Sequence, residues 1–283
     1  MEPRLRFVRY LAPTGFRRLA VWEWGEPDNP DAVVCVHGLT RTGRDFDPLA
    51  RALAPRYRVL CPDMPGRGRS DWLSGPAEYA YPVYLQALAC LLARREAGTV
   101  DWVGTSMGGL LGLMLAAQPG TPIRRLVLND IGPTVPGAAL ERIASYVGAD
   151  PRFGSLAVAE AYLRRVHAPF GPLPDADWAE LARHSVRPLP KGGYALHYDP
   201  AIGAALGEGP FEDVDLWDVW AAVRCPVIVV RGRESDVLPA EVAARMAEKP
   251  GVEVVEFAGV GHAPAFRAPE QIAAVGRWLG CGV

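Results

Sequence analysis

The chain has 283 residues, of which 49% are hydrophobic and 22% are charged, as in ordinary soluble globular proteins. Its formal net charge of −2 gives no strong electrostatic attraction for nucleic acid or for an acidic membrane surface. These values favour one large domain, or one domain carrying an insertion, and argue against the nucleic-acid-binding classes.

In chain order, the first predicted element is an antiparallel hairpin over residues 6–26. After it, short apolar, β-branched segments alternate with longer segments of helical periodicity. The predicted strands cover residues 32–38, 57–63, 99–104, 124–130, 226–232 and 252–257. The predicted helices between and after them cover residues 47–55, 82–96, 106–118, 239–249 and 269–280. This alternation predicts an α/β fold with a doubly wound, mostly parallel sheet.

One segment breaks this alternation. Residues 133–216 contain no strong strand pattern, and helical patches over 138–148, 156–166 and 175–186 dominate. We therefore predict a helical cap at 133–216, inserted over the carboxyl edge of the strands. The core domain would then comprise residues 1–132 and 217–283.

The amino-terminal stretch lacks the continuous apolar segment of a secretory signal, and no stretch approaches the roughly 20 apolar residues of a membrane span. The cysteines are Cys35, Cys61, Cys90, Cys225 and Cys281, scattered without CxxC spacing. The first, second and fourth of them lie in or beside apolar strand patterns, which predicts buried free thiols. A cytoplasmic location is expected from this cysteine usage.

The chemistry of the chain centres on Ser106. Gly104-Thr105-Ser106-Met107-Gly108 matches the pattern G-x-S-x-G between a predicted strand and a predicted helix. Glycines two residues away on each side remove side chains that would collide at so sharp a turn. Ser106 is therefore predicted to be a nucleophile exposed at the carboxyl end of the sheet; the alternative is a serine that only caps the helix.

A serine nucleophile needs a base, and the base needs a carboxylate to orient it. His262 lies in a glycine-rich loop after the last predicted strand and is the candidate base; the alternative is a loop histidine bonded to solvent or backbone. Asp236 follows the strand at 226–232 and is the preferred acid. Asp130, one strand earlier at the same edge, is the alternative acid, and Glu234 is a weaker option.

An oxyanion hole is predicted beside the nucleophile. Gly38 lets the backbone after strand 32–38 approach Ser106, so the amides of Leu39 and Met107 are the expected donors. Such donors typically contribute about 3 kcal/mol each in the transition state. His37 is expected to brace this loop through hydrogen bonds rather than to take part in the chemistry.

No cofactor or metal is indicated. The sequence has neither a GxxxxGK[ST] phosphate loop nor a GxGxxG motif after a strand. His167, His184 and His197 fall in the predicted cap without metal-ligand spacing. Arg67 and Arg69 could meet an acidic substrate, although structural or solvated arginines are the preferred interpretation.

Together these motifs resemble those of the α/β-hydrolase superfamily. HGLT (37–40), DMPGRGRS (63–70), GTSMGG (104–109), RGRESDVLP (231–239) and GVGHAPAF (259–266) match its motifs in order. The resemblance is greatest to the capped serine branch, which contains carboxylesterases, lactonases, carbon–carbon bond hydrolases and cofactor-free haloperoxidases. It implies Ser106 as nucleophile, Asp236 as acid, His262 as base, and Leu39 with Met107 as the oxyanion hole.

The expected function is hydrolysis of small to medium carboxylic esters, with lactones or thioesters as further candidates, through an acyl-enzyme. The partner is then a small-molecule substrate, and no cofactor is needed. Carbon–carbon bond hydrolysis and acyl transfer or perhydrolysis on the same triad are alternatives. A receptor that retains the fold and binds a ligand without catalysis is a further alternative.

Overall fold

An eight-stranded sheet forms the centre of the molecule, in the order β1-β2-β4-β3-β5-β6-β7-β8. The structure is a computed structural model that describes residues 2–94, 98–207 and 210–282. The strands are β1 Arg4–Ala12, β2 Gly15–Trp24, β3 Ala32–Val36, β4 Arg58–Asp63, β5 Val100–Thr105, β6 Ile123–Asn129, β7 Val227–Gly232 and β8 Val252–Phe257. β1 and β2 pair antiparallel, β2 pairs antiparallel with β4, and every pairing from β4 to β8 is parallel.

The helices that cover the sheet lie between these strands and after the last one. They are α1 Asp47–Leu53, α2 Tyr81–Ala93, α3 Met107–Ala116, α4 Gly137–Ala144, α5 Leu156–Val166, α6 Asp175–Ser185, α7 Ala201–Ala205, α8 Trp217–Ala222, α9 Ala240–Ala247 and α10 Pro269–Trp278. Within the described ranges, none of these helices has the length and apolar character needed to cross a membrane.

Alternate residues of the central strands point to two separate apolar cores. Along β3, Val34 and Val36 belong to one cluster, whereas Val33 and Cys35 belong to the other. All of these side chains are fully buried, because helices cover both faces of the sheet. This double burial explains why the parallel strands appear in the sequence as continuous apolar segments.

The predicted α/β fold is confirmed. All six predicted parallel strands and the amino-terminal hairpin are present, with boundaries shifted by a few residues. The predicted helices are also present; residues 95–96 of the helix predicted over 82–96 lie outside the described residues.

Residues 133–216 contain α4 to α7, in agreement with the helical patches of the sequence, together with two small sheets that the sequence did not predict. Arg152–Phe153, Tyr194–Leu196 and Val186–Pro188 form one of them. In the other, Thr134–Val135 pairs antiparallel with Val214–Asp215, so that the segment leaves and re-enters the core at adjacent points. We call residues 133–216 the insertion.

A second connection joins the insertion to the core. The Gly68 amide donates to the His197 carbonyl at 2.8 Å, and the Asp199 amide donates to the Gly66 carbonyl at 2.8 Å. These bonds hold the loop after β4 against the insertion on both sides of Arg67. Gly66 and Gly68 have φ angles of 84° and 53°, as expected for the glycines that allow this turn.

Candidate active site

Ser106 lies on the sharp turn between β5, which ends at Thr105, and α3, which begins at Met107. Its φ and ψ angles are 52° and −119°, a combination that non-glycine residues rarely adopt. A Cβ atom added to Gly104 would lie 2.3 Å from the Gly108 carbonyl oxygen, and one added to Gly108 would lie 2.0 Å from that of Val36. The two glycines are therefore required by close backbone contacts, as the G-x-S-x-G pattern predicted.

A chain of hydrogen bonds joins Ser106 to His262 and Asp130. The Nε2 atom of His262 lies 3.0 Å from Ser106 Oγ, and its Nδ1 atom lies 2.7 Å from Asp130 Oδ2. Because an ionised carboxylate only accepts hydrogen bonds, Nδ1 is the donor to Asp130. Nε2 of the neutral ring is then an acceptor directed at the serine hydroxyl. This is the geometry that a general base requires.

Asp130 is held rigidly in this position. β6 ends at Asn129, and Asp130 follows with φ 55° and no solvent exposure. Its Oδ1 accepts from the Gly232 amide at 2.8 Å, and its Oδ2 accepts from the Ser235 hydroxyl at 2.5 Å in addition to His262. The buried carboxylate therefore has hydrogen-bond partners at both oxygens.

The predicted position of Asp236 is wrong: the carboxylate that contacts His262 is that of Asp130, the alternative acid. The Asp236 side chain is 46% exposed and accepts from Arg142 of α4, with Oδ1 at 2.9 Å from Nη2. The turn after β7 directs Ser235 towards Asp130, so the side chain of the next residue, Asp236, points outward to Arg142 of the insertion. His262 has no contact with Asp236 in the hydrogen bonds of the described residues.

Glu234, the weaker candidate acid, binds the loop before His262 and not His262 itself. Its carboxylate accepts from the Gly259 amide at 3.1 Å and the Val260 amide at 2.8 Å. The hydrogen bond from the Gly259 amide is the main reason why the pKa of Glu234 is lowered. Glu234 therefore holds the start of the loop that carries His262.

The loop after β3 passes directly over the serine. A Cβ atom added to Gly38 would lie 3.6 Å from Ser106 Cβ, which places the predicted oxyanion donor Leu39 beside the nucleophile. Met107 opens α3, so its amide is among those without an acceptor inside the helix. Among the described residues, neither of these amides makes a backbone hydrogen bond.

Arg67 holds both predicted oxyanion residues in place. Its guanidinium is fully buried and donates to the Leu39 carbonyl at 2.8 Å, while Nη2 lies 3.8 Å from the Sδ atom of Met107. It also donates to the Tyr84 hydroxyl at 2.7 Å. Arg67 is thus a structural arginine, in agreement with the preferred interpretation. Arg69 is exposed and lies away from Ser106, in a cleft with Asp63.

His37 braces the same loop, as the sequence predicted. Its Nε2 accepts from the Met64 amide at 2.9 Å, so the ring is neutral and Nδ1 donates to the Gly38 carbonyl at 2.7 Å. Burial lowers the pKa of His37 to about 3. Burial likewise lowers the pKa of His167 to about 3 and the pKa values of His184 and His197 to about 4.

Because the pKa values of these four histidines are lowered, we expect the protein to lose stability in mild acid. Each has a folded-state pKa below its unfolded value of about 6.5, so below that pH the unfolded chain binds more protons. The free energy of unfolding should fall as the pH decreases from 7 to 5. Burial raises the pKa of Asp63 to about 6, which opposes this trend because the folded state then binds the proton. Urea unfolding at pH 7, 6 and 5 measures the slope.

His197→Gln is the matched variant, since it removes one titrating group away from Ser106. It should flatten the dependence of stability on pH between 7 and 5. A wild-type free energy of unfolding that stays constant or rises over this range would contradict the prediction.

Of the three histidines of the insertion, His167 lies apart, whereas His184 and His197 line the same cleft. His167 lies near Ser106, whereas His184 groups with Asp47 and Glu180, their nearest ligand atoms lying within 4.8 Å of one another. The two carboxylates are already ion-paired, Asp47 with Arg44 and Glu180 with Arg267.

Two chambers meet at Ser106. The first, which we call the polar chamber after the side chains of His262, Arg41, Arg142, Tyr146 and His167 in its wall, has a volume of about 70 Å³; apolar side chains form much of the rest of that wall. The second, which we call the apolar chamber, has a volume of about 500 Å³ and is lined mainly by aliphatic and aromatic side chains. Leu39, Met107, Leu110, Ile131, Ile202 and Phe211 are among them. Of these two chambers, only the polar chamber has His262 in its wall.

The polar chamber contains two guanidinium groups. Arg41 is 7% exposed and binds Asp45 through Nε at 2.7 Å and Nη2 at 2.8 Å. Its Nη1 lies 3.3 Å from Nε2 of His167, which is neutral and accepts. Burial opposes the ionisation of Asp45, but Arg41 lowers the pKa of Asp45 overall. Sequence reasoning missed Arg142, Tyr146 and His167, because only the fold brings α4 and the end of α5 over Ser106. It also missed Arg41, although this residue follows Leu39 by two positions in the loop after β3.

Comparison with known proteins agrees with this geometry. The family model described as the alpha/beta hydrolase family matches residues 33–275. The chain belongs to this family. It is 45% identical over 281 residues to a 3-hydroxybutyrate-oligomer hydrolase of Cupriavidus necator, covering 96% of each chain. It is 30% identical to lipase LipV of Mycobacterium tuberculosis, covering 88% of this chain and 93% of the lipase.

A solved structure shows the same fold. An alpha/beta hydrolase from Novosphingobium aromaticivorans superposes with a TM-score of 0.87 at 40% sequence identity, covering 99% of this chain and 98% of that one. The similarity therefore extends over the insertion as well as the sheet. This structural similarity and the named relatives support the conclusion that the protein is a hydrolase that acts on esters in general.

Proposed function

We propose that this enzyme hydrolyses oligomeric esters of short hydroxyacids through an acyl-enzyme formed on Ser106. The observation that carries the proposal is the hydrogen-bonded chain Ser106–His262–Asp130 at the junction of two chambers. The proposed substrate class is supported by the 45% identity to the 3-hydroxybutyrate-oligomer hydrolase over 96% of both chains. The free thiols Cys35 and Cys61 support the expected cytoplasmic location.

In the proposed first half-reaction, His262 Nε2 takes the proton of Ser106 while Oγ attacks the ester carbonyl carbon. The Leu39 and Met107 amides stabilise the negative charge on the carbonyl oxygen. Asp130 keeps the proton on Nδ1 and stabilises the imidazolium. The tetrahedral intermediate collapses to the acyl-enzyme, and His262 gives its proton to the leaving alcohol.

In the second half-reaction, water replaces the alcohol. His262 takes a proton from the water, the hydroxyl adds to the acyl carbon, and Ser106 leaves with the proton returned by His262. The net result is one water consumed and one acid and one alcohol released. Each proton transfer uses the same nitrogen, which needs no rearrangement of the site.

The test is incubation of the purified enzyme with linear 3-hydroxybutyrate dimer and trimer, followed by chromatography of the products. We expect release of the monomeric acid, with activity on p-nitrophenyl butyrate confirming a working site. A carbon–carbon hydrolase would cleave vinylogous diketones instead, and an acyltransferase would require an added acceptor. Failure to cleave either oligomer while the p-nitrophenyl ester is hydrolysed would refute the proposed substrate class.

A further inference from the structure

The position of His262 distinguishes the two sides of the substrate. In the proposed mechanism the leaving oxygen receives its proton from His262 Nε2, so the alcohol portion must lie on the histidine side. His262 lines the polar chamber and is absent from the wall of the apolar chamber. The mechanism thus assigns the alcohol portion to the side of the polar chamber and leaves the apolar chamber for the acyl portion.

Both guanidinium groups of the polar chamber have N–H groups outside their ion pairs. The Nε and Nη2 atoms of Arg142 are bound to Asp236, which leaves Nη1 outside this ion pair. On Arg41, Asp45 takes Nε and Nη2, and His167 accepts only one of the two hydrogens on Nη1. The ion pair with Asp45 fixes the guanidinium plane of buried Arg41, so its remaining N–H group is pre-oriented; the ion pair of Arg142 with Asp236 is more exposed. The Tyr146 hydroxyl lies in the same wall and is a hydrogen-bond partner of the Arg142 side chain.

The chemistry of a hydroxyacid oligomer matches this arrangement. In every such ester, the alcohol portion is the part of the chain that ends in the free carboxylate. When the terminal ester is cleaved, a single methylene group separates the carbinol carbon from that carboxylate. The leaving group is then a short hydroxyacid anion, which suits a chamber of about 70 Å³ better than a longer fragment does.

We propose that the polar chamber is a recognition site for the terminal carboxylate of the substrate, bound by Arg142 and Arg41 with the Tyr146 hydroxyl. The enzyme then cleaves the ester next to the free carboxyl end and releases one hydroxyacid monomer per turnover. The rest of the oligomer occupies the apolar chamber of about 500 Å³ as the acyl portion. This inference rests on the proposed function.

The first test compares the 3-hydroxybutyrate dimer as the free acid with the same dimer as its methyl ester, which carries no negative charge. We expect the wild-type kcat/KM to favour the acid by about tenfold or more, since charge-assisted hydrogen bonds are stronger than neutral ones. Arg142→Gln should lower this ratio by about tenfold, mainly through KM, and Arg142→Lys should restore part of it.

Arg152→Gln is the matched control. Arg152 is another arginine of the insertion, ion-paired with Asp150 and outside both chambers. Its removal changes the net charge equally and should leave the acid-to-ester ratio at the wild-type value. A wild-type ratio near one, or a ratio that folded Arg142→Gln does not lower, would overturn the carboxylate site.

The second test uses a trimer whose terminal hydroxyl is acetylated. Cleavage next to the carboxyl end gives free 3-hydroxybutyrate and an acetylated dimer, which is the expected pattern. Acetylated monomer and free dimer as the main products would refute the assignment of the chambers. If the wild type cleaves neither dimer nor trimer but hydrolyses p-nitrophenyl butyrate, the proposed function fails and the inference fails with it. An acid-to-ester ratio near one, a ratio that Arg142→Gln does not lower, or cleavage to acetylated monomer and free dimer refutes only the inference.

Discussion

Ser106→Ala should lower kcat on p-nitrophenyl butyrate by about 10⁶-fold while the protein keeps its fold, because removing the nucleophile of such a triad disables the whole unit. The residual rate comes from binding and the oxyanion donors alone. Steady-state kinetics measure the loss, and circular dichroism with thermal unfolding verifies the fold. In parallel, a fluorophosphonate probe should label the wild type at Ser106 and fail to label the variant.

Ser74→Ala is the matched control for this variant. Ser74 is a surface serine that contacts Thr14 and Arg17, far from the turn at Ser106. Its replacement should leave both turnover and labelling at the wild-type level. Wild-type turnover in a pure sample of Ser106→Ala would contradict the assignment of the nucleophile.

Asp130→Asn should lower kcat on the same neutral ester by a factor on the order of 10⁴. The asparagine carboxamide would keep an acceptor for the Gly232 amide and turn its NH₂ group towards His262 Nδ1. Nδ1 would then have to accept, and the imidazole proton would move to Nε2. In that tautomer Nε2 cannot take the proton from Ser106.

Asp236→Asn is the comparison that separates the two candidate acids. It breaks only an exposed ion pair with Arg142, and such pairs contribute about 0 to 1 kcal/mol. On the neutral ester its effect should therefore stay below about tenfold, far smaller than that of Asp130→Asn. The reverse ranking, in variants with similar thermal stability, would return the acid to the turn after β7.

Asp130 and Asp236 are difficult to distinguish from the sequence because they follow two neighbouring strands. β6 and β7 are adjacent and parallel, so a carboxylate after either one lies at the same edge of the sheet. The direction of each side chain depends on the turn that follows. Asp130 takes φ 55° and turns inward, and Ser235 then occupies the inward position in the turn that carries Asp236. These dihedral angles are not encoded in apolar periodicity.

Other features were predictable because local chemistry determines them. The Ser106 turn follows from Gly104 and Gly108, whose backbones leave no space for side chains. The parallel strands follow from burial on both faces. The chamber walls could not be predicted, since Arg41 and Arg142 are 101 residues apart and line the same chamber only through packing of the insertion.

The insertion is attached to the core at two places, and these attachments oppose movement of the insertion away from Ser106. One attachment is the strand pair at Thr134–Val135, and the other is the backbone bonding of the Gly66–Gly68 turn to residues 197–199. Between those two bonds, Arg67 holds the Leu39 carbonyl. A swinging lid would break this second attachment and disturb the oxyanion donors at the same time. We therefore expect the insertion to stay in place during turnover, with reactants entering and leaving through side-chain movements at its margins.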